Sequence, residues 1–177
     1  MKRASCGAAS QVAVAPMATS AIVTNYSGKA PKGQDRNWEM AKRINVQEFK
    51  SNDAPILIST KAFGMGIDKP DVRFVCHTDM PGSVEAYYQE IGRAGRDGKP
   101  SDAHMIYGLD DLRMRRMFID QEDGDADHKR REHKRLDALI SYCEAPECRR
   151  RALLSYFDEP LHASDGCGNC DICQDPP

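Results

Sequence analysis

The amino-acid sequence predicts an α/β domain with a mainly parallel sheet, followed by a small helical domain that ends in a cysteine cluster. Short apolar runs alternate with amphipathic segments as far as residue 108, a pattern typical of βαβ units. An acidic, glycine-containing stretch at residues 121–127 then separates this part from two further helical segments. Near the C-terminus, the stretch CGNCDIC places three cysteines within seven residues.

The composition of the 177-residue chain narrows the class of protein. No apolar run approaches the roughly 20 residues that a membrane helix needs, so we expect no membrane partner. The formal net charge is −2 and the pI is about 6.2, so any binding of nucleic acid must use local positive charge. Seven cysteines without a secretory signal indicate a reducing, cytosolic-type compartment.

The first elements are short. We expect residues 1–24 to be a disordered start, because they are rich in alanine and serine, contain no acid and include Pro16. The stretch AIVTNY (21–26) predicts a short strand at the end of that segment. Residues 35–51 predict a helix with Asp35 as its N-cap.

Two buried strands follow, PILIST (55–60) and VRFVCHT (72–78). Ser83 can cap a helix that runs through Ile91, and DAHMIYG (102–108) predicts the next strand. Three helical stretches complete the chain: LDDLRMRRMFIDQ, HKRREHKRLDALISYC and CRRRALLSYF. The basic run HKRREHKR can contact nucleic-acid phosphates, although a solvated helix face explains it equally well.

Two segments predict a site at the edge of the sheet. Thr60 lies at the carboxyl end of a predicted parallel strand, where ligands bind in open α/β sheets. In the following loop Gly64 and Gly66 allow close backbone approach, and Asp68 can orient a water or a ribose hydroxyl. A plain turn explains the same loop.

The second segment is YYQEIGRAGRDG (87–98). Gln89 and Arg93 are four residues apart, so they share one helix face, and Arg96 follows in a glycine-rich frame. Surface charges at a helix end would explain one arginine. Two arginines with a glutamine in this frame favour a site for an oxyanion.

Taken together, TKAFGMGIDKPDVRFVCH and YYQEIGRAGRDG closely resemble motifs V and VI of RecQ-type DNA helicases. The resemblance extends from about Tyr26 to Pro177. It implies that residues 25–120 are part of the second of two RecA-like domains, and that residues 128–177 form a zinc-binding domain. The fold class is then α/β, a partial RecA-like parallel sheet with flanking helices, followed by a small helical zinc-binding domain.

The resemblance also implies roles for individual residues. Arg93 and Arg96 would reach the phosphates of ATP bound on the other RecA-like domain, one of them as the arginine finger. Gln89 would couple the nucleotide state to domain closure. The resemblance assigns ATP binding to Gly64, Gly66, Asp68, Gln89, Arg93 and Arg96, and DNA contacts to Thr60, Lys61 and Met65.

The cysteine spacing C-x18-C-x2-C-x2-C suits a closed, tetrahedral zinc site, with an iron–sulfur cluster as the rival. Spacing alone leaves Cys143 and, less favourably, His162 as alternatives to Cys148 for the fourth ligand. The resemblance selects Cys148, because CRRRALLSYF and CGNCDIC match the family's pattern. The expected ligands are Cys148, Cys167, Cys170 and Cys173.

The sequence contains no P-loop and no acidic box for magnesium, and DEPL (158–161) is interpreted as a loop. We therefore expect ATP and Mg²⁺ to bind only with the missing first RecA-like domain, and the isolated chain not to hydrolyse ATP. The expected partner is DNA, single-stranded or partly duplex, in a bacterial nucleoid or a nucleus. The alternative is a non-catalytic, zinc-stabilised module that binds DNA or a protein.

Overall fold

The computed structural model describes residues 11–14, 23–30, 37–60, 68–160 and 166–176. In this part of the chain, one sheet of five strands has the order β2-β3-β1-β4-β5. The strands are β1 (Gln11–Val14), β2 (Val23–Tyr26), β3 (Ile56–Ser59), β4 (Phe74–His77) and β5 (Asp102–Met105). The helices are α1 (Trp38–Ser51), α2 (Val84–Ile91), α3 (Leu109–Gln121), α4 (Ala126–Glu144), α5 (Arg149–Tyr156) and α6 (Asp171–Gln174).

The predicted α/β architecture is confirmed. Strand β2 pairs in parallel with β3, and β4 pairs in parallel with β5. Phe49 from the end of α1 packs with Leu57, Val72 and Val75 in a core from which water is almost fully excluded. Burying one side chain of this size stabilises the fold by about 1.5–3 kcal/mol. The apolar runs form strands here because they cover that core.

Strand β1 differs from the expected disordered start. Residues 1–10 and 15–22 of that segment lie outside the described residues, but Gln11–Val14 form a strand between β3 and β4. It is antiparallel to both neighbours, with Val12 opposite Ile58 on one side and Cys76 on the other. A strand in this place satisfies backbone groups on both of its edges. Four residues are too short a run to reveal this from the sequence.

Helix α1 is held at its C-terminus by a buried lysine. Asn52 adopts a left-handed conformation with φ 68°, and its N–H donates to the carbonyl of Phe49. The Nζ of Lys69 lies 2.8 Å from Asn52 Oδ1 and 2.9 Å from Asp71 Oδ1. This contact fixes the chain just after the glycine-containing loop. The predicted N-cap, Asp35, lies outside the described residues, and α1 begins after Asn37.

The chain divides into two compact units, residues 1–81 with 86–115, and residues 82–85 with 116–177. The second unit is helical, and its buried side chains include Leu136, Leu139 and Leu153. Asp125, from the acidic stretch predicted as a linker, caps α4 by accepting a hydrogen bond from the N–H of His128 at 2.7 Å. Within the described ranges, every helix is too short or too polar to cross a membrane.

Candidate functional site

The arginine segment leaves α2 through a tight turn. The N–H of Arg93 donates to the carbonyl of Glu90, and the N–H of Gly95 donates to the carbonyl of Val72 at 3.0 Å. Gly95 has φ 66°, and a Cβ atom there would lie 2.5 Å from the hydroxyl oxygen of Ser101. A glycine is therefore needed at this position for the chain to return towards β4.

Arg96 and Asp68 are brought together, although they are 28 residues apart. Nη1 of Arg96 lies 3.0 Å from Asp68 Oδ1, and its Nε donates to the carbonyl of Gly92 at 3.2 Å. The Arg96 side chain remains 42% exposed. The two residues predicted to bind the same ligand thus lie side by side, with donors of Arg96 still open to solvent.

Arg93, three residues before Arg96, is half-buried. Burial lowers the pKa of its guanidinium group, the positive charge of Arg96 lowers it further, and the carboxylate of Glu90 raises it. An arginine stays protonated in proteins, so two neighbouring positive charges persist here. Such a pair favours an anion. Gln89, one turn earlier, is exposed on α2.

Sequence reasoning missed the contact that holds α2 against the sheet. His77 ends β4 and is fully buried, and its Nε2 lies 2.8 Å from Glu90 Oε2. The His77 ring also packs on Tyr87, with the ring centroids 5.3 Å apart. Glu90, which lies between Gln89 and Arg93 in the sequence, thus attaches this segment to the end of β4. A histidine at the end of an apolar strand was the available signal.

The loop between Thr60 and Asp68 is only partly described. Thr60 follows β3, and its N–H donates to the carbonyl of Tyr26 at 3.1 Å, so it lies at the carboxyl end of the parallel pair β2–β3. The remaining predicted residues of this loop lie outside the described residues: Lys61, Gly64, Met65 and Gly66.

The four cysteines expected to bind a metal come together. The sulfur atoms of Cys148, Cys167, Cys170 and Cys173 all lie within 4.8 Å of one another. Cys148 immediately precedes α5 and Cys170 immediately precedes α6. Of the alternatives, Cys143 is outside this cluster, and burial raises the pKa of its thiol to about 11. His162 lies outside the described residues.

The surroundings of the sulfur atoms fit a metal centre. The N–H of Cys167 donates to Cys148 Sγ at 3.2 Å, and the N–H of Arg149 donates to Cys170 Sγ at 3.4 Å. Burial raises the pKa of Cys148, but hydrogen bonds, first those from backbone N–H groups, bring it down to about 6. Gly166 has φ 94°, and a Cβ atom there would lie 2.7 Å from Cys173 Sγ. Four thiolates in a closed cluster suit structural zinc.

Arg149 supports the cluster from one side, which sequence reasoning did not foresee. Its Nε and Nη2 form a bidentate pair with Asp171, at 3.0 and 2.9 Å. Its Nη1 donates to the carbonyl groups of Tyr142, Cys143 and Ala145 at the end of α4. One side chain at the start of α5 therefore connects the end of α4 to the start of α6, next to Cys170.

Two family models match successive parts of the chain. The model described as the helicase conserved C-terminal domain matches residues 37–98, and the RecQ zinc-binding model matches residues 109–174. The first match includes Asp68 and the segment from Gln89 to Arg96. The second includes all four clustered cysteines.

Curated relatives cover most of the chain. The ATP-dependent DNA helicase hus2/rqh1 of Schizosaccharomyces pombe is 44% identical over 76% of this chain and 10% of its own length. The ATP-dependent DNA helicase RecQ of Haemophilus influenzae is 43% identical over 78% of this chain and 22% of its own. The RecQ-like DNA helicase BLM of Xenopus laevis is 42% identical over 85% of this chain and 11% of its own.

The chain therefore spans 10–22% of the length of these three relatives. Among solved structures, domain 2 of the DEAD-box helicase Mss116p bound to an RNA duplex covers 78% of this chain, with 18% identity and a TM-score of 0.42. The sequence matches to RecQ proteins and the two family models agree with each other along the chain. The chain belongs to the RecQ family of DNA helicases, and carries a helicase C-terminal domain followed by a RecQ zinc-binding domain.

Proposed function

We propose that this chain supplies the arginine-finger half of the ATP site in a 3′-to-5′ DNA helicase of RecQ type. The contact between Arg96 and Asp68 carries the proposal, because it holds one guanidinium group in place while the Arg96 side chain stays 42% exposed. The relatives' names supply the substrate class, since they are ATP-dependent DNA helicases. ATP and Mg²⁺ would arrive on a separate RecA-like domain, which carries the P-loop.

The residues of the proposed site have different tasks. Arg93 and Arg96 neutralise the charge that develops on the transferring phosphoryl group, which is worth about 10³–10⁵ in rate for an arginine finger. Asp68 positions Arg96, and its carboxylate balances the positive charge of Arg96 when no nucleotide is present. Gln89, exposed one turn before Arg93, senses the nucleotide state and couples it to domain closure. Gly64 and Gly66, which lie outside the described residues, would allow close approach of the nucleotide.

The DNA contacts belong to the loop that follows β3. Thr60, Lys61 and Met65 would contact the DNA backbone at the carboxyl end of the sheet, next to the nucleotide site. The substrate is single-stranded or partly duplex DNA.

The cysteine cluster has a structural task. Cys148, Cys167, Cys170 and Cys173 would hold one Zn²⁺ ion with no open coordination position, so the ion stabilises the fold and takes no part in hydrolysis. Zinc binding contributes to folding directly, because the unfolded chain does not present four thiolates together.

A complementation experiment tests the proposed function. We expect the isolated chain to show no ATPase activity, and a mixture with a separate RecQ P-loop domain and DNA to show it. Arg96→Ala should abolish the restored activity. Arg113→Ala is the matched control, because the Arg113 side chain is 80% exposed on α3 and, among the residues that the structure describes, pairs only with Asp110. ATPase activity from the chain alone, or full activity of Arg96→Ala, would contradict the proposal.

The alternative is a non-catalytic module that binds DNA through α4. Arg131 and Lys134 are exposed on this helix, and neither has a partner in the described part of the chain. However, the neighbouring cations pair with acids: Arg130 with Asp127, and Arg135 with Glu132. DNA binding without any restored ATPase in the mixture would favour this alternative.

A further inference from the structure

Helix α5 connects the cysteine cluster to a second contact eight residues away. Cys148 is its N-cap residue, and the carbonyl of Cys148 accepts a hydrogen bond from the N–H of Ala152 at 3.0 Å. Leu153 is buried, and the helix ends at Tyr156. At about 1.5 Å per residue, the helix spans about 12 Å from the cluster to Tyr156.

Tyr156 binds the start of the helix that leads to the arginines. Its hydroxyl donates to Glu85 Oε1 at 2.8 Å, and Glu85 lies in the first turn of α2. The pKa of Glu85 is lowered, first by a hydrogen bond from Ser83 and then by Tyr156 and the charge of Arg135. Glu85 is thus an ionised acceptor that interacts with Tyr156 of α5, with Arg135 of α4 and with Ser83 just before α2. All four residues lie in the second compact unit.

Helix α2 links Glu85 to the proposed nucleotide-site residues Gln89 and Arg93. Glu85 and Gln89 are four residues apart in one helix of eight residues, so they share a face and move together. Arg93 follows in the turn that closes the helix, through the hydrogen bond from its N–H to the carbonyl of Glu90. A displacement at Glu85 therefore reaches Gln89 directly and Arg93 through the backbone.

We propose that the hydrogen bond between Tyr156 and Glu85 couples occupancy of the cysteine cluster to the position of α2, so that Tyr156 is a positioning residue for Gln89 and Arg93. This rests on the function proposed above for those residues and for zinc. It assigns the zinc-binding domain a task beyond its own folding, which is to hold the helix of the nucleotide site.

The weak start of α5 explains why this coupling depends on metal. Cys148 makes no side-chain capping hydrogen bond, and a helix of eight residues is marginal on its own. The cysteine cluster therefore fixes the N-terminus of α5. Without metal, α5 frays and Tyr156 loses its place opposite Glu85. Coupling of this kind is reciprocal. If bound Zn²⁺ strengthens the hydrogen bond by a given factor, loss of the hydrogen bond must weaken Zn²⁺ binding by the same factor.

Hydrogen exchange on the full chain tests the proposal. In the parent protein, removal of Zn²⁺ by a chelator should accelerate exchange of the amides from Tyr88 to Gly92 by at least about fivefold. In Tyr156→Phe, these amides should exchange fast with or without Zn²⁺. Tyr26→Phe is the control, since it removes a hydroxyl from β2 that has no hydrogen-bond partner within the described ranges, and it should behave like the parent.

A second measurement separates coupling from general destabilisation. Competition with a chromophoric chelator should show weaker Zn²⁺ binding in Tyr156→Phe and in Glu85→Ala, and near-parent binding in Glu85→Gln, which keeps an acceptor oxygen. The coupling is refuted if Zn²⁺ binds but the exchange rates of the α2 amides do not change. It is also refuted if these rates respond to Zn²⁺ in Tyr156→Phe as they do in the parent. In both cases the proposed function stands. If the chain binds no Zn²⁺, both the metal site and the coupling are refuted.

Discussion

At the scale of single residues, the site depends on buried polar groups that have defined partners. Lys69 is 4% exposed and meets Asn52 and Asp71, and His77 is fully buried against Glu90. A buried polar group that loses its partner costs about 1–3 kcal/mol, because it has already left water. These residues therefore fix the positions of Asp68 and Arg93 more firmly than surface contacts would.

Glu90→Ala should lower the free energy of unfolding by about 1–3 kcal/mol, because it leaves His77 buried without its partner. Urea unfolding followed by circular dichroism measures the loss. Gln89→Ala is the matched control on the adjacent, exposed residue, and it should change stability by less than about 0.5 kcal/mol. Equal losses in the two variants would contradict the role assigned to His77.

Asp71 should titrate at a lower pH than an ordinary aspartate. The hydrogen bond from Lys69 is the main cause of its lowered pKa. A carboxyl group with a depressed folded pKa stabilises the protein above its unfolded pKa, about 3.9, and this stabilisation is lost as pH falls through the folded value. An NMR titration of the Asp71 carboxyl measures it, and Lys69→Met should move the midpoint upwards. An unchanged midpoint in that variant would contradict the assignment.

At the scale of elements, the strand β1 completes the sheet, and the glycines of the cysteine loop shape the metal site. β1 lies between β3 and β4 with pairing on both edges, so its four amides should be protected from hydrogen exchange. Ala13→Pro removes one N–H from this ladder and should expose the strand. Exchange of residues 11–14 at the rate of an unstructured peptide in the parent protein would show that the strand does not form.

Gly166→Ala should impair Zn²⁺ binding far more than Gly168→Ala. Both glycines have positive φ, 94° and 71°, so both substitutions strain the backbone. Only at Gly166 does the added Cβ meet a sulfur atom, that of Cys173 at 2.7 Å, whereas the space around Gly168 is open. Zinc affinities measured by chelator competition compare the two variants. A larger loss in Gly168→Ala would be incompatible with this packing.

Across these residues and elements, sequence reasoning found features that are local in the chain. Apolar runs predicted β3 and β4, and cysteine spacing together with the family resemblance predicted the cluster around Cys148. Contacts between distant residues could not be predicted in the same way. Arg149 pairs with Asp171, which is 22 residues away, and no sequence pattern around either residue predicts this pair. The place of β1 is also non-local, because it depends on the gap that β3 and β4 leave between them.

At the scale of the whole molecule, the proposed function makes this chain one half of a composite ATP site. Arg93 and Arg96 are held by Glu90, Asp68 and the turn at Gly95. In the proposed function, they bind phosphates of ATP that is carried by another domain. An arginine finger contributes to the transition state and little to ground-state binding, so its loss should lower kcat and leave nucleotide affinity almost unchanged.

The most direct test is therefore the steady-state ATPase of this chain mixed with a RecQ P-loop domain and DNA. The account predicts that Arg96→Ala and Arg93→Ala lower kcat, at least one of them by about 10³-fold or more, while KM for ATP changes little. A rise in KM with kcat preserved in both variants would contradict it, because the arginines would then bind nucleotide without taking part in phosphoryl transfer.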